Sequence, residues 1–279
     1  MDLILQAPTL DARTAESIAG QCGAASLHVL DGGGQRAWRL VDIRSPDGVP
    51  EACARARCDY ALVPPGLVRG AVRVVAMDMD STLITIECID EIADLQGIKP
   101  AVAAITASAM RGEIDFRESL ARRVALLAGL PVDALAEVYD RRLRLSPGAE
   151  RMLAGFRAHG AKTLLVSGGF TYFTDRLQAR LGLDATASNT LEVEDGRLTG
   201  RLVGDIVDAE GKARHLRAMR ARHAADGGLV LALGDGANDL PMLAAADVSI
   251  AYRAKPLVRA QATYALDYCG LDGALNLFA

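Results

Sequence analysis

The sequence predicts an α/β protein, a doubly wound parallel sheet interrupted by a helical cap insertion and preceded by a small unit of different pattern. Apolar, β-prone runs at Val72–Met77, Thr163–Val166, Leu229–Leu233 and Val248–Ala251 each end in a turn and pass into helical sequence. That alternation implies a parallel sheet with helices on both faces. Between the first two runs, the stretch from about Cys88 to Leu145 reads as several helices, more than one crossover needs, and so as a cap over the strand ends. The first 68 residues order their strands and helices differently.

In that first unit, Leu3–Leu5 precedes a helical segment near Asp11–Gly20. The extended runs Ser26–Leu30 and Ala37–Asp42 follow, split by the Asp31-Gly32-Gly33-Gly34 turn. A helix at Pro50–Arg57 then leads into Tyr60–Val63. The order βαββαβ is the ferredoxin-like arrangement, which resembles small regulatory domains of the ACT type. It carries no ligand signature, and the reading stays open between a packing or homodimerisation domain and a sensor. Pro64-Pro65-Gly66 reads as a linker, giving domains of 1–68 and 69–279, with the cap at about 88–145. A second insertion, Thr190–Gly204, holds Glu194-Asp195-Gly196 between extended runs and reads as a β-hairpin flap.

A length of 279 residues suits about two domains. With 51% hydrophobic and 24% charged residues, the composition is that of a soluble globular protein. A net charge of −4 argues against nucleic acid or an anionic membrane as partner. No apolar run approaches the ~18–20 residues of a membrane span. The start, Met-Asp-Leu-Ile-Leu-Gln, lacks the basic region of a signal peptide. The five cysteines are scattered without a Cys-x-x-Cys pair, which argues against zinc and disulfide frameworks. A reduced, cytoplasmic protein is expected.

Ligands of such sheets sit beyond the carboxyl ends of the strands, and there the polar residues cluster. Asp78 and Asp80, two apart on an extended chain, lean to the same side. Paired carboxylates repel unless a cation neutralises them or one keeps a proton. Both remedies suit phosphoryl transfer, since magnesium bridges carboxylate and phosphate oxygens and a carboxylate can accept the phosphoryl group. The third run ends in Gly234-Asp235-Gly236-Ala237-Asn238-Asp239, where Asp235 would reach the same metal and Asn238 and Asp239 start a helix. Ser167-Gly168-Gly169, read as opening a helix, offers a hydroxyl and bare N–H groups to an anion. Lys212, placed just before a helical segment, would offset the acidic charge and hold phosphate.

Asp78-Met79-Asp80-Ser81-Thr82, Ser167-Gly168-Gly169, Lys212 and Gly234 to Asp239 together resemble the four motifs of the haloacid dehalogenase-like superfamily, in order and spacing over about three quarters of the chain. The resemblance implies Asp78 as nucleophile and Asp80 as general acid and base. It implies Mg2+ held by the Asp78 side chain, the Asp80 carbonyl and Asp235. Ser167, Gly168 and Lys212 would hold phosphate, with Asn238 at the substrate and Asp239 in support.

The cap carries the substrate reading. At about 100° per residue, Phe116, Leu120, Val124 and Leu127 share one face; Arg123 falls inside that stripe and Arg122 points away. An arginine on an apolar face needs an anionic partner, for which a carboxylate matches its planar fork. Glu87 near the first cap helix could take an ammonium. A phosphate cradle, a cation and an anion together suit O-phosphoserine. Glu87-Cys88-Ile89-Asp90-Glu91-Ile92-Ala93 and Phe116 through Val124 resemble phosphoserine phosphatases, Met79 standing where phenylalanine is common. That likeness implies Glu87 as ammonium ligand, Arg123 as carboxylate ligand, and Met110 and Phe116 as apolar pocket residues. It also implies the last step of serine biosynthesis. Phosphothreonine and homoserine phosphate are the alternative substrates. A receiver domain is disfavoured, because receivers carry the phosphorylated aspartate on a later strand.

Overall fold

A computed structural model describes residues 1–30 and 36–278. The N-terminal unit contains β1 (Asp2–Ala7), α1 (Ala12–Cys22), β2 (Ser26–Leu30), β3 (Arg36–Val41), α2 (Val49–Ala56) and β4 (Asp59–Val63). Its strands form an antiparallel sheet in the order β2-β3-β1-β4, as the βαββαβ reading requires. The Asp31–Gly34 turn lies outside the described residues. Leu3 and Leu5 of β1 face α1 and α2, while Ile4 faces the main core, the period of two placing neighbours on opposite faces.

The second sheet begins with β5 (Val72–Met77). Four helices follow: α3 (Cys88–Leu95), α4 (Lys99–Met110), α5 (Phe116–Ala125) and α6 (Asp133–Glu137). The chain then returns through α7 (Ala149–Arg157), β6 (Lys162–Phe170) and α8 (Thr171–Leu181). The hairpin β7 (Ala185–Glu194) and β8 (Arg197–Val203) precedes α9 (Ala209–His223), β9 (Leu229–Gly234) and α10 (Leu240–Ala244). Last come β10 (Val248–Tyr252), α11 (Pro256–Gln261) and β11 (Tyr264–Leu266). The strand order is β11-β10-β9-β5-β6-β7-β8, parallel except for the hairpin. In β5, Val75 and Met77 enter one core and Val74 and Ala76 the other, so both faces are covered.

Four apolar runs thus mark four of seven strands. The start of β7, Ala-Thr-Ala-Ser-Asn, has too little apolar character to be read as a strand, and β11 is only Tyr-Ala-Leu. The hairpin flap is present, turning at Asp195 and Gly196, both left-handed with φ of 49° and 73°. Two readings change. Ser167-Gly168-Gly169 does not open a helix: β6 runs on to Phe170 and α8 starts at Thr171. Lys212 is not ahead of a helix but in the first turns of α9, because Asp208 caps that helix by accepting from the Gly211 N–H at 2.8 Å.

The stretch at Pro64-Pro65-Gly66 joins two units that are pinned together by buried polar groups. Asp59 accepts from the backbone N–H groups of Asp267 (2.7 Å), Tyr268 (3.1 Å) and Cys269 (2.9 Å). Gln6 donates to Gly273 O at 3.2 Å and accepts from Asn276 Nδ2 at 2.7 Å. Among the described residues no helix is long and apolar enough to cross a membrane.

Candidate active site

β5 lies between β9 and β6, where chain connections leave in opposite directions, and a crevice forms beyond such a switch point. Asp78 is still in the ladder, its N–H donating to Leu233 O at 3.0 Å. The chain then coils through a wide turn in which Leu83 N–H reaches Asp78 O (3.3 Å) and Ile84 N–H reaches Met79 O (3.0 Å). Asp80 stays extended, with ψ of 137°, and Ser81 turns left-handed with φ of 54°. Asp78 Oδ1 accepts from Met79 N–H (2.7 Å), and Asp80 Oδ1 accepts from Cys88 N–H (2.9 Å) at the start of α3.

Lys212 sits behind Asp78, only 1% exposed. Its Nζ lies 2.8 Å from Asp78 Oδ1 and 2.7 Å from Asp239 Oδ1. The other oxygen of Asp239 accepts from the N–H groups of Asp235 (3.1 Å) and Gly236 (3.0 Å), so this carboxylate is spent on organising the loop. Gly234 makes that approach feasible, since a Cβ there would fall 2.5 Å from Asp239 Cγ. Asp235 Oδ1 accepts from Thr82 Oγ1 at 3.1 Å. Oxygens of Asp78, Asp235 and Asp239 all lie within 4.8 Å of one another.

Burial sets the titration of these groups. It raises Asp78, as does the Asp239 carboxylate, while Lys212 opposes both. Burial and Glu87 push Asp80 up to about 7, against the Cys88 N–H bond. Burial and Asp239 push Asp235 up to about 6. Burial disfavours the charge on Lys212, but the Asp239 and Asp78 carboxylates outweigh it and hold its pKa above the usual lysine range.

The β6 end supplies the opposite wall. Pairing with β7 shifts register between Val166 and Phe170, and Asn189 fills the gap, its Nδ2 donating to Gly168 O (2.8 Å) and its Oδ1 accepting from Val207 N–H (2.8 Å). Ser167 Oγ accepts from Gly169 N–H at 2.9 Å. A Cβ on Gly169 would lie 2.9 Å from Asp80 Oδ2, so the bare backbone passes close to the carboxylate.

From the cap, α5 contributes Phe116, Leu120 and Arg123; α3 and its N-cap contribute Asp90 and Glu87. With the strand ends they enclose a cavity of about 300 Å³. Glu87 Oε1 accepts from Ser81 Oγ at 2.7 Å, and burial and Asp90 raise its pKa. Arg123 donates only to Ser119 O in its own helix (3.3 Å) and forms no carboxylate ion pair among the described residues. Burial lowers its pKa, opposed first by Asp90 and then by Glu87. Arg122 points outward and pairs with Glu118 at 2.5 Å.

The expected residues therefore converge on one cavity, with Asn238 also in its wall and Lys212 and Asp239 directly behind. Met110 is the exception: it lies in the last turn of α4, 70% exposed and outside the lining, its side chain on the solvent side of the helix end. Sequence reasoning missed Asp90, Thr106, Lys255 and Asn189. Asp90 follows Glu87 by three residues on one helical face and could have been found by that spacing; Asn189 depends on a register shift that leaves no trace in composition.

A carboxylate pair at the end of the first core strand, a buried lysine and a cap closing over a glycine-bearing strand end make up a phosphoryl-transfer enzyme. The chain belongs to the haloacid dehalogenase-like hydrolases, whose family model matches residues 75–244. It is similar to the phosphoserine phosphatase of Polaromonas sp. (strain JS666), 53% identical over 218 residues that make up 76% of this chain and 92% of that one. Among solved structures, a haloacid dehalogenase family hydrolase from Salmonella enterica serovar Typhi superposes with a TM-score of 0.88 at 34% identity, over 100% of this chain and 99% of that one. A substrate-bound phosphoserine phosphatase complex matches with a TM-score of 0.68 at 33% identity, over 75% of this chain and 99% of that chain.

Proposed function

We propose that this chain hydrolyses O-phosphoserine to serine and phosphate through an aspartyl phosphate, closing serine biosynthesis. The observation that carries the substrate is Arg123, a half-buried guanidinium in the cavity wall that forms no carboxylate ion pair among the described residues, with Glu87 lining the same cavity. An unpaired buried charge is costly, and the substrate carboxylate would relieve it. Glu87 takes the ammonium, and Phe116 and Leu120 bound the short apolar stem.

In the first step Asp78 attacks phosphorus in line while Asp80 delivers its proton to the departing serine oxygen. A carboxyl with a pKa of about 7 is half protonated at neutral pH, which suits this role. In the second step Asp80, now ionised, takes a proton from the water that hydrolyses the aspartyl phosphate. Lys212 favours the ionised form of Asp78 against burial and the Asp239 carboxylate, and has a third N–H donor left for a phosphate oxygen. Ser167 and the Gly168 backbone hold the remaining oxygens, and Asn238 the cavity rim. The donors fit Mg2+, being all oxygen and closely grouped. Asp78, the Asp80 carbonyl and Asp235 would hold it, Asp239 being spent on Lys212; when bound it neutralises charge on the transferring phosphoryl group.

The proposal includes the cytoplasm as working compartment and a homodimer joined through the N-terminal unit, where the edge strand β2 leaves Val29 77% exposed; sedimentation at several concentrations tests the dimer. Asp78→Asn should abolish phosphate release, and retained turnover would exclude it as nucleophile. Arg123→Ala should lower kcat/KM for phosphoserine by about 10²-fold, the cost of stranding a buried charge. Phosphoethanolamine, which lacks the carboxylate, should be affected far less, and equal losses would make Arg123 structural.

A further inference from the structure

The helix carrying Arg123 is fixed from outside the cavity. Just past the end of α5, Gly129 N–H donates to Leu198 O (2.8 Å), Leu198 N–H to Leu130 O (2.8 Å) and Val132 N–H to Gly196 O (3.0 Å). Arg197 Nη1 adds a bond to Gly129 O at 2.7 Å. These residues attach the cap to β8, and β7 of the same hairpin pairs with β6 of the core from Ala185 to Asn189. The end of α5 is thus built onto the sheet edge.

Gly200 of β8 also lies against the end of α5. Its φ is +83°, and a Cβ there would lie 2.9 Å from Ala128 Cβ, 3.2 Å from Ala125 O and 3.3 Å from Ala125 Cα, two residues beyond Arg123. Gly204, near the end of the same hairpin, is equally left-handed at φ +80° but would meet no atom within 4 Å. Of these two glycines, Gly200 is the one whose missing side chain lets α5 settle against β8.

We propose that Gly200 is a positioning residue for substrate selection: the β7–β8 hairpin, by admitting α5 at this point, sets the reach of Arg123 to the substrate carboxylate. The proposal rests on the reading of Arg123 as carboxylate ligand. Carbon atoms pack at about 3.5–4.0 Å, so a methyl at Gly200 must push Ala128 back by up to about 1 Å and Ala125, at the end of α5, by several tenths of an ångström.

The test measures kcat and KM on phosphoserine and phosphoethanolamine for Gly200→Ala, Gly204→Ala, the double variant Gly200→Ala/Ala128→Gly, Arg197→Ala and Arg123→Ala, with thermal midpoints. Both single glycine variants carry the left-handed backbone strain; only the first carries the steric push. Gly200→Ala should raise KM for phosphoserine by about tenfold or more over Gly204→Ala, a misplacement of this size being able to cost up to ~10²-fold. Phosphoethanolamine should be unaffected within about twofold, and Ala128→Gly should restore most of the loss. Arg197→Ala, an exposed change that spares the glycine, should move KM for phosphoserine in the same direction and so keeps the test open if Gly200→Ala does not fold. Equal behaviour of the two glycine variants, or equal losses on both substrates, would overturn the proposal. If Arg123→Ala itself fails to separate the two substrates, it is the carboxylate reading that falls.

Discussion

Replacing Lys212 with methionine should leave Asp78 and Asp239 as buried carboxylates without the cation they share. In the wild type its Nζ lies within 2.8 Å of both, and all three residues are at most 5% exposed. Removing one partner of a buried ion pair costs about 3–5 kcal/mol. With an unfolding entropy near 2.1 cal/mol/K per residue, that loss lowers the melting midpoint by roughly 5–9 °C for a chain of this size. The deficit has a predicted pH dependence. Asp78 is already raised by burial and Asp239, and the variant removes the lysine that opposes that push. A carboxyl whose folded pKa lies above its unfolded value costs stability once ionised, and that cost disappears as pH falls through the folded pKa. The gap from wild type should therefore narrow between pH 8 and pH 5. Thermal unfolding in a chelating buffer, which keeps divalent ions from replacing the lost charge, measures it. An unchanged midpoint at pH 8, or a gap that widens toward pH 5, would refute the assignment of Lys212 as the charge balancing this pair.

Protons should compete with magnesium at Asp235, whose carboxyl is pushed up to about 6. The half-activating magnesium concentration should be flat above pH 7 and rise by up to about tenfold per unit below pH 6, because the ligand must lose its proton to bind; no change between pH 7.5 and 5 removes Asp235 from the metal set. Asp59→Ala should destabilise the whole chain by roughly 2–4 kcal/mol by stranding three N–H donors, one buried and two half-buried. A denaturation curve superimposable on the wild type would mean that the two units are not held together there.

The carboxylates proposed as nucleophile and metal ligand were legible because they end apolar runs whose pattern survives any detail of packing: Asp78 follows Val72–Met77 and Asp235 follows Leu229–Gly234. What was lost depends on tertiary context. Lys212 reads as a lysine beside a helix, and only the fold shows it buried between two acids. The Ser167–Phe170 segment reads as a helix start because serine and glycines favour one, yet Asn189, 21 residues away, clamps it as extended chain. Met110 matched a family position, but nothing in α4 itself says which side of the cap its last turn will face. Pro64-Pro65-Gly66 reads as a linker, and the bonds at Asp59 and Gln6 that cross it are contacts between residues about 200 or more positions apart.

Asp78 and Asp80 are chemically identical, and their neighbours separate their proposed roles. A nucleophile must be ionised while the acid beside it keeps a proton. Burial and Asp239 raise Asp78, but it has a buried lysine at 2.8 Å, which favours its charged form against that push, and a backbone N–H on the same oxygen. Asp80 has no cation within ion-pairing distance among the described residues, and its strongest charged neighbour is Glu87, which favours the proton. Exchanging the two environments would exchange the roles. The proposed ammonium ligand thus has a second effect: Glu87 raises the pKa of Asp80, the proposed acid. A substrate ammonium docking on Glu87 would weaken that push, making Asp80 a stronger acid once the correct substrate is in place.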